Sequence, residues 1–88
     1  MTNYKQNSKI GQDLILTYFS DRMKDKKINK EQLAQTVDIS VTTLWRYFKK
    51  KSPMPLGVYL EICAALDVRP YLIPVESDNT EMKQMFLN

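Results

Sequence analysis

The stretch Lys30–Lys51, KEQLAQTVDISVTTLWRYFKKK, leaves this chain little choice of fold. Its apolar residues recur at helical spacing on both sides of a short break at Asp38 and Ile39. Asn29 stands where an N-cap belongs, and Gln32, three residues on, completes the spacing of a capping box. Ile28 and Leu33 flank that cap as a hydrophobic staple. The spacing predicts a helix over residues 30–37 with Leu33, Ala34 and Val37 inward. Ser40 caps a second helix running to about Lys50, with Leu44 and Tyr47 on its inward stripe. Helices this short are marginal alone in water, so each must bury its apolar face against neighbours.

The flanking sequence supplies those neighbours. From Lys9 to about Lys26, after a cap at Ser8, the residues Ile10, Leu14, Ile15, Tyr18, Phe19 and Met23 predict a first amphipathic helix. Asp25-Lys26-Lys27 reads as a polar break after it. Ser52-Pro53-Met54-Pro55 forces an extended link, because proline disfavours helix in the residue before it. A fourth helix over about 56–66, with Leu56, Tyr59, Leu60, Ile62, Cys63 and Leu66, is expected to be the most buried. Pro70 fits the first turn of a short fifth element carrying Tyr71, Leu72 and Ile73, which Pro74 ends. The expected organisation is therefore a flexible N-terminus at 1–8, one all-α domain at 9–74, and a tail at 75–88. That tail is either mobile or weakly docked through Met82, Met85 and Phe86.

Composition narrows the function classes. A chain of 88 residues holds one domain and one core, with no room for a separate ligand-binding or dimerisation domain. There is no histidine, which removes the commonest general base and nitrogen ligand. The single cysteine, Cys63, lies in an apolar run and reads as a small buried hydrophobe. With one cysteine and no histidine, a zinc finger is excluded. No glycine-rich phosphate loop exists, and Glu31, Glu61 and Asp67 fall on ordinary helix faces without a nucleophile or base beside them. Neither an enzyme nor a cofactor or metal site is expected. An apolar run of spanning length and a secretory signal are both missing, so a cytoplasmic location is the default expectation. The net charge of +3 favours an anionic partner weakly; its distribution says more, with Lys49, Lys50 and Lys51 grouped just after Arg46.

Two short helices joined by a tight turn meet the demands of a helix-turn-helix. Ala34 provides the small residue where the helices approach closely. Leu33, Val37, Ile39 and Leu44 lock the angle between them. Val41, Thr42, Trp45, Arg46 and Lys49 then point outward from the second helix, with Thr43 near the rim.

At these residues the sequence resembles the Cro/repressor helix-turn-helix family, also called the xenobiotic-response-element family. EQLAQTVDIS-VTTLWRYF is similar to the family's first helix, turn and recognition helix, and ICAALDVRPYL is similar to its fourth helix and exit. The resemblance covers about residues 10–73 and departs at three positions. Asp38 replaces the turn glycine, Phe48 stands where an acidic residue is common, and Trp45 places an aromatic outward. It implies a lambda-repressor-like bundle of four to five short helices, binding double-stranded DNA with the helix at about 40–50 in the major groove. Arg46 is then the best candidate for a base edge, since arginine pairs bidentately with guanine. Val41 and Thr42 would meet a base edge or thymine methyl, and Trp45 a sugar or methyl group. Lys30, Lys49, Lys50 and Lys51 would meet phosphates, which position without reading sequence. Ser40 and Thr43 complete the expected DNA-facing set. A homodimer on two half-sites is expected, because one such domain makes few base contacts. The format resembles the compact switches of phages and mobile elements.

Blander roles stay open for each of these residues. Arg46 fits a surface ion pair with a carboxylate, and three lysines fit a solvated helix end. Trp45 fits packing or an interface, and Thr42 and Thr43 fit a neutral surface. The competing function is a protein-interaction module or antirepressor on the same fold, using Trp45, Phe48 and the Met-rich tail.

Overall fold

A computed structural model describes residues 4–74 of the chain, as four helices: α1 (Tyr4–Lys26), α2 (Lys30–Val37), α3 (Val41–Phe48) and α4 (Leu56–Ala65). The tail expectation for 75–88, with Met82, Met85 and Phe86, lies outside the described residues. α2 follows the predicted span residue for residue. Its capping box forms as the sequence specifies: the Gln32 N–H donates to Asn29 Oδ1 at 2.8 Å, and the Asn29 N–H donates to Gln32 Oε1 at 2.9 Å. Ser40 caps α3, accepting from the Thr43 N–H at 3.0 Å.

All four helices end in the same way. Lys27, Asp38, Lys50 and Asp67 each take a positive φ, between 55° and 61°. The N–H of the residue after each reaches back five residues: Ile28 to Met23, Ile39 to Ala34, Lys51 to Arg46 and Val68 to Cys63, at 2.8–3.0 Å. This left-handed stop satisfies carbonyls that the helix end would otherwise orphan. Glycine usually takes the position; here two lysines and two aspartates do. The apolar residue that follows, at Ile28, Ile39 and Val68, turns back onto the core.

The core consists of Phe19, Met23, Leu33, Ala34, Leu44, Ile62, Cys63 and Leu66, which draws on all four helices. Cys63 is buried, as its apolar run implies. Phe19 meets Tyr59 with ring centroids 5.8 Å apart, joining α1 to α4. Arg22 donates from Nε and Nη2 to the Leu66 carbonyl at 3.2 and 2.8 Å, so α1 also caps the end of α4. Lys26 pairs with Asp67 at the same end, and its hydrogen bond, with its charge next, holds the Asp67 carboxyl below its ordinary pKa. Burial pushes the Tyr59 phenol above its usual range, with Cys63 adding to the effect.

Five expectations need correction. α1 starts at Tyr4, not after Ser8, so residues 4–8 are helical rather than a flexible terminus, and Ser8 sits within the helix, accepting from Gln12 Nε2 at 2.9 Å. α1 also runs through Asp25 and Lys26, with the break at Lys27. Its apolar residues form two stripes rather than one. At about 100° per residue, Ile10, Leu14 and Tyr18 lie roughly 100° or more from Phe19 and Met23 around the helix. Only the second stripe meets the core, joined by Leu16, while Leu14 is 67% exposed. Of the apolar residues expected to bury α4, Leu56 and Leu60 face outward at 71% and 45% exposure. Finally, residues 68–74 form no fifth helix, and Leu72 is almost fully exposed. Three residues between two prolines cannot repay the cost of nucleating a helical turn.

Candidate nucleic-acid interface

The candidate surface is built from α3 outward. Leu44 is fully buried and fixes the helix against the core, while Tyr47 and Phe48 are half-buried on either side of it. The remaining face carries Val41, Thr42, Trp45, Arg46 and Lys49, all exposed, within an arc of roughly 140°. α3 ends at Phe48, with Lys49 as its C-cap and Lys50 in the left-handed stop, slightly short of the predicted end.

The turn before α3 sets its angle. Asp38 takes φ 61° and ψ 47°, the left-handed conformation a glycine would supply. Aspartate tolerates it better than most residues. Ala34 is 2% exposed, as the close approach of α2 and α3 requires.

Around this face the expected residues have distinct local partners. Lys30, at the start of α2, places its ammonium 4.9 Å from the Trp45 ring centroid and 5.5 Å from that of Phe48. Lys49 lies 4.7 Å from the Trp45 centroid. Arg46 donates from Nε to Ser52 Oγ at 3.1 Å, and no carboxylate among the described residues pairs with it. Among the described residues the guanidinium is held by a neutral hydroxyl. Lys50 pairs with Asp13 of α1. Lys51 is exposed, and its backbone N–H donates to the Arg46 carbonyl. Ser40 and half-buried Thr43 are occupied with each other, Ser40 Oγ donating to Thr43 Oγ1 at 2.8 Å. Thr42 and Val41 lie open to solvent.

Three of these relationships escape sequence reasoning. Trp45 and Lys49 are four apart on one helix, so that contact was within reach of spacing. The approach of Lys30 depends on the angle between α2 and α3, and the Asp13–Lys50 and Arg46–Ser52 pairs depend on how α1 and the link to α4 pack.

A capped, angle-locked helix with a polar and cationic outer face, set behind a second short helix, defines a helix-turn-helix DNA-binding domain. The chain belongs to the Cro/C1-type HTH DNA-binding domain family, whose profile matches residues 19–71, from the middle of α1 to the exit of α4. No curated protein and no solved structure matches the chain. Among the described residues no helix is long and apolar enough to cross a membrane, and no cluster of metal-ligating side chains occurs.

Proposed function

We propose that this chain is a sequence-specific transcriptional regulator, repressor-like in action, that inserts α3 into the major groove of double-stranded DNA as a homodimer. The observation that carries the reading is the arc of Val41, Thr42, Trp45, Arg46 and Lys49 on a helix whose opposite side is anchored by Leu44. Arg46 reads a base edge, Val41 and Thr42 contact a base edge or thymine methyl, and Lys30, Lys49, Lys50 and Lys51 hold phosphates. Ser40 and Thr43 set the start of the helix against the backbone. The protein acts in the cytoplasm.

A dimer that places two copies of α3 on one face of DNA must pair through a surface that leaves this arc free. Leu14, Ile15 and Tyr18 of α1, with Tyr71 beyond α4, line such an apolar surface, and none of the outward residues of α3 belongs to it. The interaction-module reading loses part of its support, because Phe48 packs on the core and the exposed Trp45 ring has two lysine ammoniums within 5 Å of its centroid. A salt titration separates the two readings. DNA binding falls linearly in log–log form as salt rises, through counterion release, whereas docking of an apolar partner barely responds.

A further inference from the structure

We propose that Trp45 is a cation-gathering platform rather than a base reader. It holds the ammoniums of Lys30 and Lys49 together as a two-point clasp for the phosphate backbone, bridging α2 and α3. The inference rests on the DNA-binding reading above and assigns a role within it.

Four observations converge on this. Both ammoniums lie within 5 Å of one ring centroid, at 4.9 and 4.7 Å, well inside the range of cation–π attraction. Drawing two like charges to one ring is offset by the attraction of the indole's negative π faces. Neither lysine has a carboxylate partner among the described residues, whereas Lys26 and Lys50 both do. Among the described residues, no carboxylate competes with an anion for the pair.

The position of Lys30 strengthens the point. It is the first residue of α2, where the positive end of the helix dipole disfavours a cation. A lysine there works against the helix it begins. Trp45 and Phe48, one turn apart on α3, draw its side chain toward the recognition helix. The indole, 46% exposed, is thus engaged by its own chain before any DNA arrives. Its work is to fix where two charges sit, which makes it a positioning residue.

The test compares the full chain with Trp45→Leu, Trp45→Phe, Lys30→Gln and the Trp45→Leu/Lys30→Gln double variant. Binding to a random-sequence duplex is measured over a salt series, and circular dichroism checks that each variant folds. Trp45→Leu is expected to weaken random-duplex binding roughly fivefold and to flatten the salt slope by about one, as Lys30→Gln does. Trp45→Phe should retain most of the binding, because a π face remains. The double variant should lose little more than Trp45→Leu alone, because Lys30 has already lost its platform there. Should Trp45→Leu fail to fold, Trp45→Gln, which also lacks a π face, carries the same comparison with Lys30→Gln and Lys49→Gln. If Trp45→Leu leaves affinity and slope on random duplex unchanged, or alters preference at one base pair only, the clasp is wrong while DNA binding stands. If the unmodified chain binds no duplex at any salt, the DNA reading fails and the clasp with it.

Discussion

The ammonium of Lys50 pairs with the carboxylate of Asp13, tying the end of α3 to α1. Of the three consecutive lysines, this one is therefore partly neutralised within its own chain, where sequence alone treats all three alike. Asp13→Asn releases Lys50 toward the phosphate backbone. Affinity for any duplex should rise about two- to fivefold at low salt, and the salt slope should steepen by up to about one. The pair is exposed enough that its loss costs under about 1 kcal/mol of stability. Fluorescence anisotropy at several salt concentrations measures the change. An unaltered slope would mean that Lys50 stands clear of the DNA.

Arg46→Ala addresses sequence reading. The guanidinium is held by Ser52 and faces outward, so it can present a donor fork to guanine. Its loss should weaken the preferred site by about 1–3 kcal/mol and relax preference at one position, with a smaller effect on random duplex. Competition binding against single-base variants of the site measures this. Equal loss on all sequences would move Arg46 from reading to phosphate contact.

The left-handed helix stops yield a stability prediction. A lysine at φ 57°, as at Lys27, carries a backbone penalty that glycine does not. Glycine raises the entropy of the unfolded chain and returns part of that gain. Lys27→Gly should therefore stabilise the domain by about 0.5–1 kcal/mol, and Asp38→Gly by less, since aspartate tolerates the region better. Urea denaturation resolves differences of this size.

What the sequence made legible follows a physical division. The Asn29–Gln32 capping box, the Ser40 cap and the turn at Asp38 depend on residues within a few positions of one another, and all form as read. The outward set Val41, Thr42, Trp45, Arg46 and Lys49 follows from helical period once Leu44 is placed inward. The exposure of Leu14, Leu56 and Leu60 was not legible, because an apolar residue does not announce which neighbour, if any, covers it. The fifth helix expected from Pro70 as a first-turn residue does not form over Tyr71, Leu72 and Ile73, because Pro74 leaves too few residues to complete a hydrogen-bonded turn. The charge pairings Lys50–Asp13 and Lys26–Asp67 join residues far apart in the chain, which spacing cannot reach.

Acid should reveal the Lys26–Asp67 pair. The lysine's hydrogen bond and charge lower the Asp67 pKa in the folded state. A depressed carboxyl pKa contributes stability that is present above the unfolded value, about 3.9, and is lost as pH falls through the folded value. Lys26→Met removes that contribution. The stability gap between the unmodified chain and this variant should be constant above about pH 5 and should close on acidification below it. Urea melts across that range check the sign; a gap that widens in acid would contradict it.

The most direct test of α3 as a DNA reader is selection of the full chain against random DNA duplexes, with the mass of the selected complex determined. Reading by α3 predicts one enriched, two-fold symmetric sequence with half-sites about one helical turn apart and two chains per duplex. Recovery of no preferred sequence would contradict it, as would a single unpaired site bound by one chain.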